Sequence, residues 1–383
     1  MPRHLNLGNK HLDAVLDEYR LHKDLSASDL DLVLMSYRYL HVFLKTRAQF
    51  NKKAPKPRKL EDLWLLCFTL VFSRDNTPEF AIVNEGVNVA KKRFGAFAGK
   101  VTNAYLRYIE ENKQAILEQI KNTPSLVIPV WLEQRWKSYP ELLKKVASNI
   151  LNRPEHGIWG FCEDLILEKK NFSAFSKKTQ AMDPGSYELC NWILKEVLKK
   201  PQSPKPYSIL DMCSAPGGKL IYLVQALLQQ GHSPTALATE SKLERMNRIK
   251  ENLSKWNLNS QVKTKLMEWG DNVAIEDFDA QDLILADLPC SGLGTIFTRP
   301  DTVASPVEEK DWQALFNLQE RILEDALKLS FKQLFVSICS VDPIEIAHIS
   351  KILGKEPDFK SWDQIDEKKY DTSPEGLVAW VKI

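Results

Sequence analysis

No apolar run in the 383-residue sequence approaches the roughly 18 residues that a membrane-spanning helix needs. The N-terminus, Met1-Pro2-Arg3-His4-Leu5-Asn6, lacks the apolar stretch of an export signal, so a cytoplasmic protein with no membrane partner is expected. The six cysteines (Cys67, Cys162, Cys190, Cys213, Cys290, Cys339) are scattered with no C-x-x-C pair. That argues against a zinc site and against a disulfide framework. The seven histidines form no H-E-x-x-H, and no metal is expected. Two nucleotide signatures are also missing: the phosphate-binding G-x-x-x-x-G-K-[ST] and the dinucleotide-binding G-x-G-x-x-G. An excess of one charge is lacking too. The net charge of +2 does not announce nucleic acid by itself, although Lys52–Lys59, Lys91-Lys92-Arg93, Lys169-Lys170 and Lys177-Lys178 form local basic clusters.

What is present is an ordinary globular composition, 44% hydrophobic and 27% charged, in a chain long enough for two cores. Up to about residue 120 the apolar residues recur at three-to-four spacing. The segments Leu12–Tyr19, Leu30–Leu44, Leu60–Phe72, Pro78–Phe94 and Val101–Ile109 read as helices, with almost no strand signal. We expect an all-helical domain over 1–122 and a linker or small subdomain over 123–178, with helical character at Val130–Trp136 and Glu141–Leu151. A third region, 179–383, alternates strand and helix. Its candidate strands are Ile209–Asp211, Ala236–Glu240, Val262–Leu266, Leu283–Asp287 and Leu334–Cys339. Helical stretches lie near 186–199, 218–230, 243–255 and 311–330. This alternation implies a doubly wound, mostly parallel α/β sheet.

The most informative segment is Asp211-Met212-Cys213-Ser214-Ala215-Pro216-Gly217-Gly218-Lys219-Leu220. It joins a strand to a helix through a glycine turn, where backbone N–H groups can approach a nucleoside-type cofactor. In an open α/β sheet ligands sit beyond the carboxyl ends of the strands. Asp211, Glu240, Asp287 and Cys339 all fall at such ends, which together describe one site. Glu240 suits a pair of ribose hydroxyls. Asp271, in Gly270-Asp271-Asn272, suits either an adenine amino group or a plain turn.

Two thiols narrow the chemistry. Cys290 lies three residues beyond Asp287, and Cys339 ends the neighbouring strand. A cytosine is inert at carbon 5 until a nucleophile adds at carbon 6, and a thiolate is suited to that addition. Either cysteine could serve.

These motifs resemble the Sun-type RNA cytosine-C5 methyltransferases. Asp211–Lys219 is similar to their D-x-C-A-A-P-G-G-K, Asp287–Gly292 to D-x-P-C-S-G and Ser337–Ser340 to S-T-C-S. Asp183–Ser186, Glu244-Arg245 and Arg299-Pro300-Asp301 resemble further family stretches. Phe80–Val87 and Asn103–Arg107 resemble the NusB-type RNA-binding domain of the subgroup that modifies bacterial 16S ribosomal RNA. The resemblance implies a Rossmann-like class I methyltransferase domain preceded by an all-α NusB-like domain. It also implies S-adenosylmethionine as cofactor, RNA as partner and a monomer. By its pattern Cys339 would attack the cytosine, Cys290 would assist product release and Asp287 would hydrogen-bond the base. The cofactor would be held by Cys213, Ser214, Ala215, Pro216, Gly217, Gly218, Lys219, Glu240, Arg245, Asp271 and Asp287. The chain departs from the pattern in several places. Ile338 replaces the threonine before the second cysteine. P-E-E-N-E reads Pro343-Ile344-Glu345-Ile346-Ala347, losing its asparagine at Ile346, and the stretch Arg153–Met182 is short. Two other readings stand beside this one: a degenerate methyltransferase serving as an RNA-binding ribosome assembly factor, and a methyltransferase for another RNA or a protein.

Overall fold

The computed structural model describes residues 26–73, 77–152, 158–170, 178–199, 206–270, 273–304, 306–361 and 376–383. The expected helix Leu12–Tyr19 lies outside these residues. The chain divides into two compact units, one of residues 1–153 and 296–307, the other of 154–295 and 308–383. The division runs through the segment read as a linker, and the short excursion 296–307 belongs with the helical unit. Among the described residues no helix is long and apolar enough to cross a membrane.

The helical unit contains α1 (Ala27–Phe50), α2 (Arg58–Ser73), α3 (Glu79–Phe94), α4 (Ala96–Asn122), α5 (Val130–Arg135) and α6 (Pro140–Asn149). Ser26 starts α1 with a capping box, its hydroxyl accepting from the Asp29 N–H while the Asp29 carboxylate accepts from Ser26. The helix α2 is buried along nearly its whole middle, and Trp64 stacks on Tyr105 of α4 at 4.3 Å while its indole donates to Thr102. A Cβ at Gly86 of α3 would sit 2.8 Å from Cys67 Sγ and 2.9 Å from Leu106, so glycine is what admits α2 and α4 this close. The buried Arg38 guanidinium donates to the carbonyls of Ile150 and Phe297, and His41 donates to Val303. Those contacts hold the 296–307 excursion in this unit.

The second unit opens with a three-stranded antiparallel sheet of β1 (Ile158–Phe161), β2 (Leu167–Lys170) and β3 (Gln180–Ala181), ordered β2-β1-β3. It was not foreseen. Its strands are short and partly polar, as Leu167-Glu168-Lys169-Lys170 shows, and carry no period of their own. Next come α7 (Pro184–Leu198), β4 (Pro206–Asp211), α8 (Gly218–Gln229), β5 (Ser233–Glu240), α9 (Leu243–Lys255), β6 (Val262–Leu266) and β7 (Gln281–Asp287). The unit ends with α10 (Glu309–Lys328), β8 (Phe331–Ile338), α11 (Pro343–Leu353), β9 (Phe359–Lys360) and β10 (Val378–Lys382).

The main sheet has the order β6-β5-β4-β7-β8-β10-β9. Strands β6, β5, β4, β7 and β8 run parallel, and β10 pairs antiparallel with both β8 and β9. The five expected strands are β4 to β8. Alternate residues of each feed opposite faces. Ile209, Leu283, Leu285 and Phe335 pack with α7, α8 and α9, whereas Leu210, Ile284, Ala286, Leu334 and Val336 pack with α10 and α11. Both faces are covered at the centre of the sheet, which explains why β7 and β8 read as nearly continuous apolar runs, whereas the edge strand β6, Val262-Lys263-Thr264-Lys265-Leu266, does not. Because β5 and β7 flank β4 on opposite sides, the strand order reverses at β4, and a crevice opens beyond its carboxyl end.

Candidate active site

The crevice at that switch point is a cavity of about 410 Å³ lined by residues beyond the carboxyl ends of all five parallel strands. Cys213 and Ala215 follow β4, and Glu240 ends β5 with Arg245 on α9 beyond it. Asp287 ends β7, with Cys290 three residues on, and Cys339 follows β8. Parallel strands in register bring these ends together, with Asp211 opposite Leu285 and Asp287 opposite Ser337.

The cradle turn is held from below and from the side. Gly217 adopts φ +95°, the left-handed region that favours glycine, and starts α8. The Ser214 N–H donates to Thr239 O, the Thr239 hydroxyl bonds the Asp211 and Met212 carbonyls, and Trp269 donates to that hydroxyl. Arg245 donates to Ala215 O and Asn252 to Pro216 O. Glu240 is 4% exposed. One of its oxygens accepts from the Ser241 and Lys242 N–H groups, and the other lies 3.5 Å from Arg245 Nε.

Asp287 is doubly held. Lys219 Nζ donates to its Oδ2 and Ser337 Oγ to its Oδ1, each at 2.6 Å. Burial pulls the Lys219 pKa down, but the neighbouring Asp287 carboxylate, which also accepts its hydrogen bond, outweighs it and keeps the ammonium charged. The Cys339 thiol is pushed well above its ordinary value by its hydrogen bond with Cys290 and by burial, with Lys219 pulling the other way. The resting thiol is therefore protonated, and it needs a proton acceptor or a rearranged thiol contact before it can attack.

Of the residues expected to hold a cofactor, Cys213, Ala215, Glu240, Arg245 and Asp287 line the cavity. Ser214, Pro216, Gly217 and Gly218 shape the turn without lining it, and the Lys219 side chain is committed to Asp287. Asp271 lies outside the described residues. Sequence reasoning passed over several lining residues, among them Met212, Met267, Trp269 and Ile322, because an apolar residue near a strand end looks the same whether it lines a pocket or fills a core. It also passed over Ser337, although that residue stands inside a quoted motif.

A profile of the family described as 16S rRNA methyltransferase RsmB/F matches residues 197–377. The chain is 34% identical over 328 residues to a ribosomal RNA small subunit methyltransferase B of Photorhabdus laumondii subsp. laumondii, covering 76% of this chain and 73% of that one. This chain belongs to the RsmB/F methyltransferase family. A Proteus mirabilis protein of the same name is 29% identical over 297 residues, which span 67% of this chain and 64% of that relative. The fold is shared over 96% of this chain and 93% of the other with the crystal structure of PH0851, at a TM-score of 0.70 and 18% identity. The RsmB/F fold is thus a class I methyltransferase sheet, and S-adenosylmethionine is the family's cofactor.

The residues present fit that cofactor. The Ser214 hydroxyl and Asp211 carboxylate are buried at the foot of the cradle, beside lining residues Met212 and Cys213. Glu240 offers a carboxylate at the end of the strand next to the glycine turn, and apolar Met212, Met267 and Trp269 supply a wall for a purine.

Proposed function

We propose that this chain transfers a methyl group to carbon 5 of a cytosine in small-subunit ribosomal RNA. The observation that carries the reading is a shared cavity. Cys290, Cys339 and Asp287 line the same space as Cys213 and Glu240, so thiol chemistry and cofactor binding meet at one point.

Bound S-adenosylmethionine supplies an electrophilic methyl group. Glu240 would accept hydrogen bonds from its ribose, and Cys213 and Ala215 of the glycine turn would lie against it. Cys339, once deprotonated, forms a bond from Sγ to cytosine carbon 6, and the electrons of the 5,6 double bond make carbon 5 nucleophilic. Asp287 accepts a hydrogen bond from the base, and the Lys219 ammonium paired with it offsets the negative charge that builds on the ring as the thiolate adds. After carbon 5 is methylated its proton leaves to a base, the S–C6 bond breaks, and the double bond re-forms. Cys290 assists that elimination, and Cys339 returns as the thiolate.

The target base must be unpaired or flipped, because ring chemistry at carbons 5 and 6 cannot proceed inside a stack. In the helical unit Lys91, Lys92 and Arg93 lie exposed in the last turn of α3, and such clusters bind phosphates with a steep salt dependence.

The test is covalent trapping. Incubation with small-subunit RNA carrying 5-fluorocytosine, in which carbon 5 has no proton to lose, should give a denaturation-resistant protein–RNA adduct. Cys339→Ala should abolish it and Cys290→Ala should not. An adduct through Cys290 instead, or none with any RNA, would overturn the reading.

A further inference from the structure

The two thiols stand on separate loops, Cys290 after β7 and Cys339 after β8, and a buried carboxylate outside the reaction ties those loops together. Glu345, in the first turn of α11, is fully buried. Its Oε1 accepts from the Ser291 N–H at 3.1 Å and from Gln319 Nε2 at 2.8 Å, and its Oε2 accepts from Ser291 Oγ at 2.6 Å. Gln319 Nε2 also donates to Pro289 O at 2.8 Å. Both neighbours of Cys290 are thereby fixed to one carboxylate. The other loop is fixed to the same group. Ser291 Oγ lies 3.1 Å from Ser340 Oγ, Ser340 Oγ accepts from the Asp342 N–H, and Asp342 Oδ2 caps α11 at the Glu345 N–H. From the far side the Gly294 N–H donates to Cys339 O at 3.1 Å.

Neither Glu345, Ser291 nor Gln319 lines the cavity. A buried carboxylate that accepts three hydrogen bonds is expensive to disturb, since its loss strands every donor aimed at it. What it fixes here is the placement of one thiol relative to the other.

We propose that Glu345 is a positioning residue for adduct release: it holds the Cys290 loop against the Cys339 strand so that Cys290 can act on the adduct formed at Cys339. The inference rests on the cytosine reading above. Glu345→Gln can keep the two donors on its amide oxygen and donate from its nitrogen to Ser291 Oγ, whose hydroxyl then turns to Ser340. Glu345→Ala keeps none of these bonds. Ser291→Ala removes the hydroxyl contacts while leaving the carboxylate and the fold's volume in place.

The experiment uses the full chain, S-adenosylmethionine and small-subunit ribosomal RNA from a strain lacking this modification. It follows the denaturation-resistant adduct over time, beside cofactor affinity by calorimetry and a melting curve for each variant. In Glu345→Ala the adduct should persist about tenfold longer than in wild type, within the roughly hundredfold that an ångström of misplacement can cost a step. Cofactor affinity should stay within about twofold, which a general loss of structure would not allow. Glu345→Gln should restore the wild-type lifetime, and Ser291→Ala should lengthen it in the same direction. An unchanged lifetime in Glu345→Ala would overturn the proposal, as would a fall in adduct formation and cofactor affinity together with Glu345→Gln no better. Should Glu345→Ala fail to fold, an unchanged lifetime in Ser291→Ala overturns it alone. Cys290→Ala is the reference for the reading beneath: if wild type methylates RNA while Cys290→Ala accumulates no adduct, the cytosine mechanism itself is wrong and this inference falls with it.

Discussion

Asp211 offers a stability test that involves neither RNA nor cofactor. It ends β4 and is 2% exposed. Burial raises its carboxyl from an ordinary 3.8 to about 7, against a hydrogen bond from Ser214 and the Lys219 charge, with Asp287 adding to the rise. A raised carboxyl means that the folded chain keeps a proton which the unfolded chain has already released. Between about pH 4 and pH 7 the native state therefore binds more protons, and stability must fall as pH rises through that window. The full shift is worth about 4 kcal/mol, as an upper bound. Asp211→Asn keeps the volume and removes the titration. In chemical denaturation followed by tryptophan fluorescence on the cofactor-free protein, the variant should equal wild type near pH 4. It should gain on wild type steadily up to pH 8, by as much as about 4 kcal/mol. Two stability curves that run parallel from pH 4 to pH 8 would refute the reasoning.

Three other substitutions separate roles within the site. Lys219→Met should lower kcat about a hundredfold with little change in cofactor affinity, because the ammonium serves Asp287 rather than the cofactor cavity. A matching loss of cofactor affinity in calorimetry would return Lys219 to the cofactor role expected from the motif. Glu240→Gln should weaken cofactor binding by about 1.5–3 kcal/mol, the range for a hydrogen bond to a charged group, and unchanged affinity would remove Glu240 from the ribose. Gly294→Ala would place a Cβ 1.8 Å from Gly376 O and 3.0 Å from the Cys339 carbonyl carbon. It should cost about 1–3 kcal/mol in denaturation and slow turnover, and a neutral result would contradict the tight approach of these backbones.

The parallel strands and helices α7 to α10 were legible because a buried α/β sheet writes itself as apolar stretches bounded by turn residues, and Gly217-Gly218 marks the cradle without a structure, whereas α11 was not read from the sequence. Elements of low contrast were not legible. Strands β9 and β10 are short and antiparallel, β10 supported by β8 and β9 by β10 rather than by any period of their own. The reactive positions were readable because Asp287, Cys290 and Cys339 are chemically distinctive. Their supports were not. Gln319 looks like any residue on an amphipathic helix, and Glu345 like an exposed carboxylate at a helix start, until the fold buries both. The lost threonine and asparagine also make physical sense. Ile338 is fully buried and Ile346 partly so, and both join the apolar cluster of α10 and α11. That cluster has no use for a polar group at either position. The helix boundaries over 123–178 were readable, but which unit each piece joins depends on contacts such as Arg38 to Ile150, far apart in the chain.

The most direct measurement is transfer of labelled methyl from S-adenosylmethionine to small-subunit ribosomal RNA from cells lacking this gene, with the labelled atom mapped, for wild type and Cys339→Ala. Label at carbon 5 of a single cytosine, absent in the variant, is the predicted result. Label at another atom, or label that survives in Cys339→Ala, would contradict the account. So would no label at all from a protein that binds both cofactor and RNA, which is the behaviour of an assembly factor.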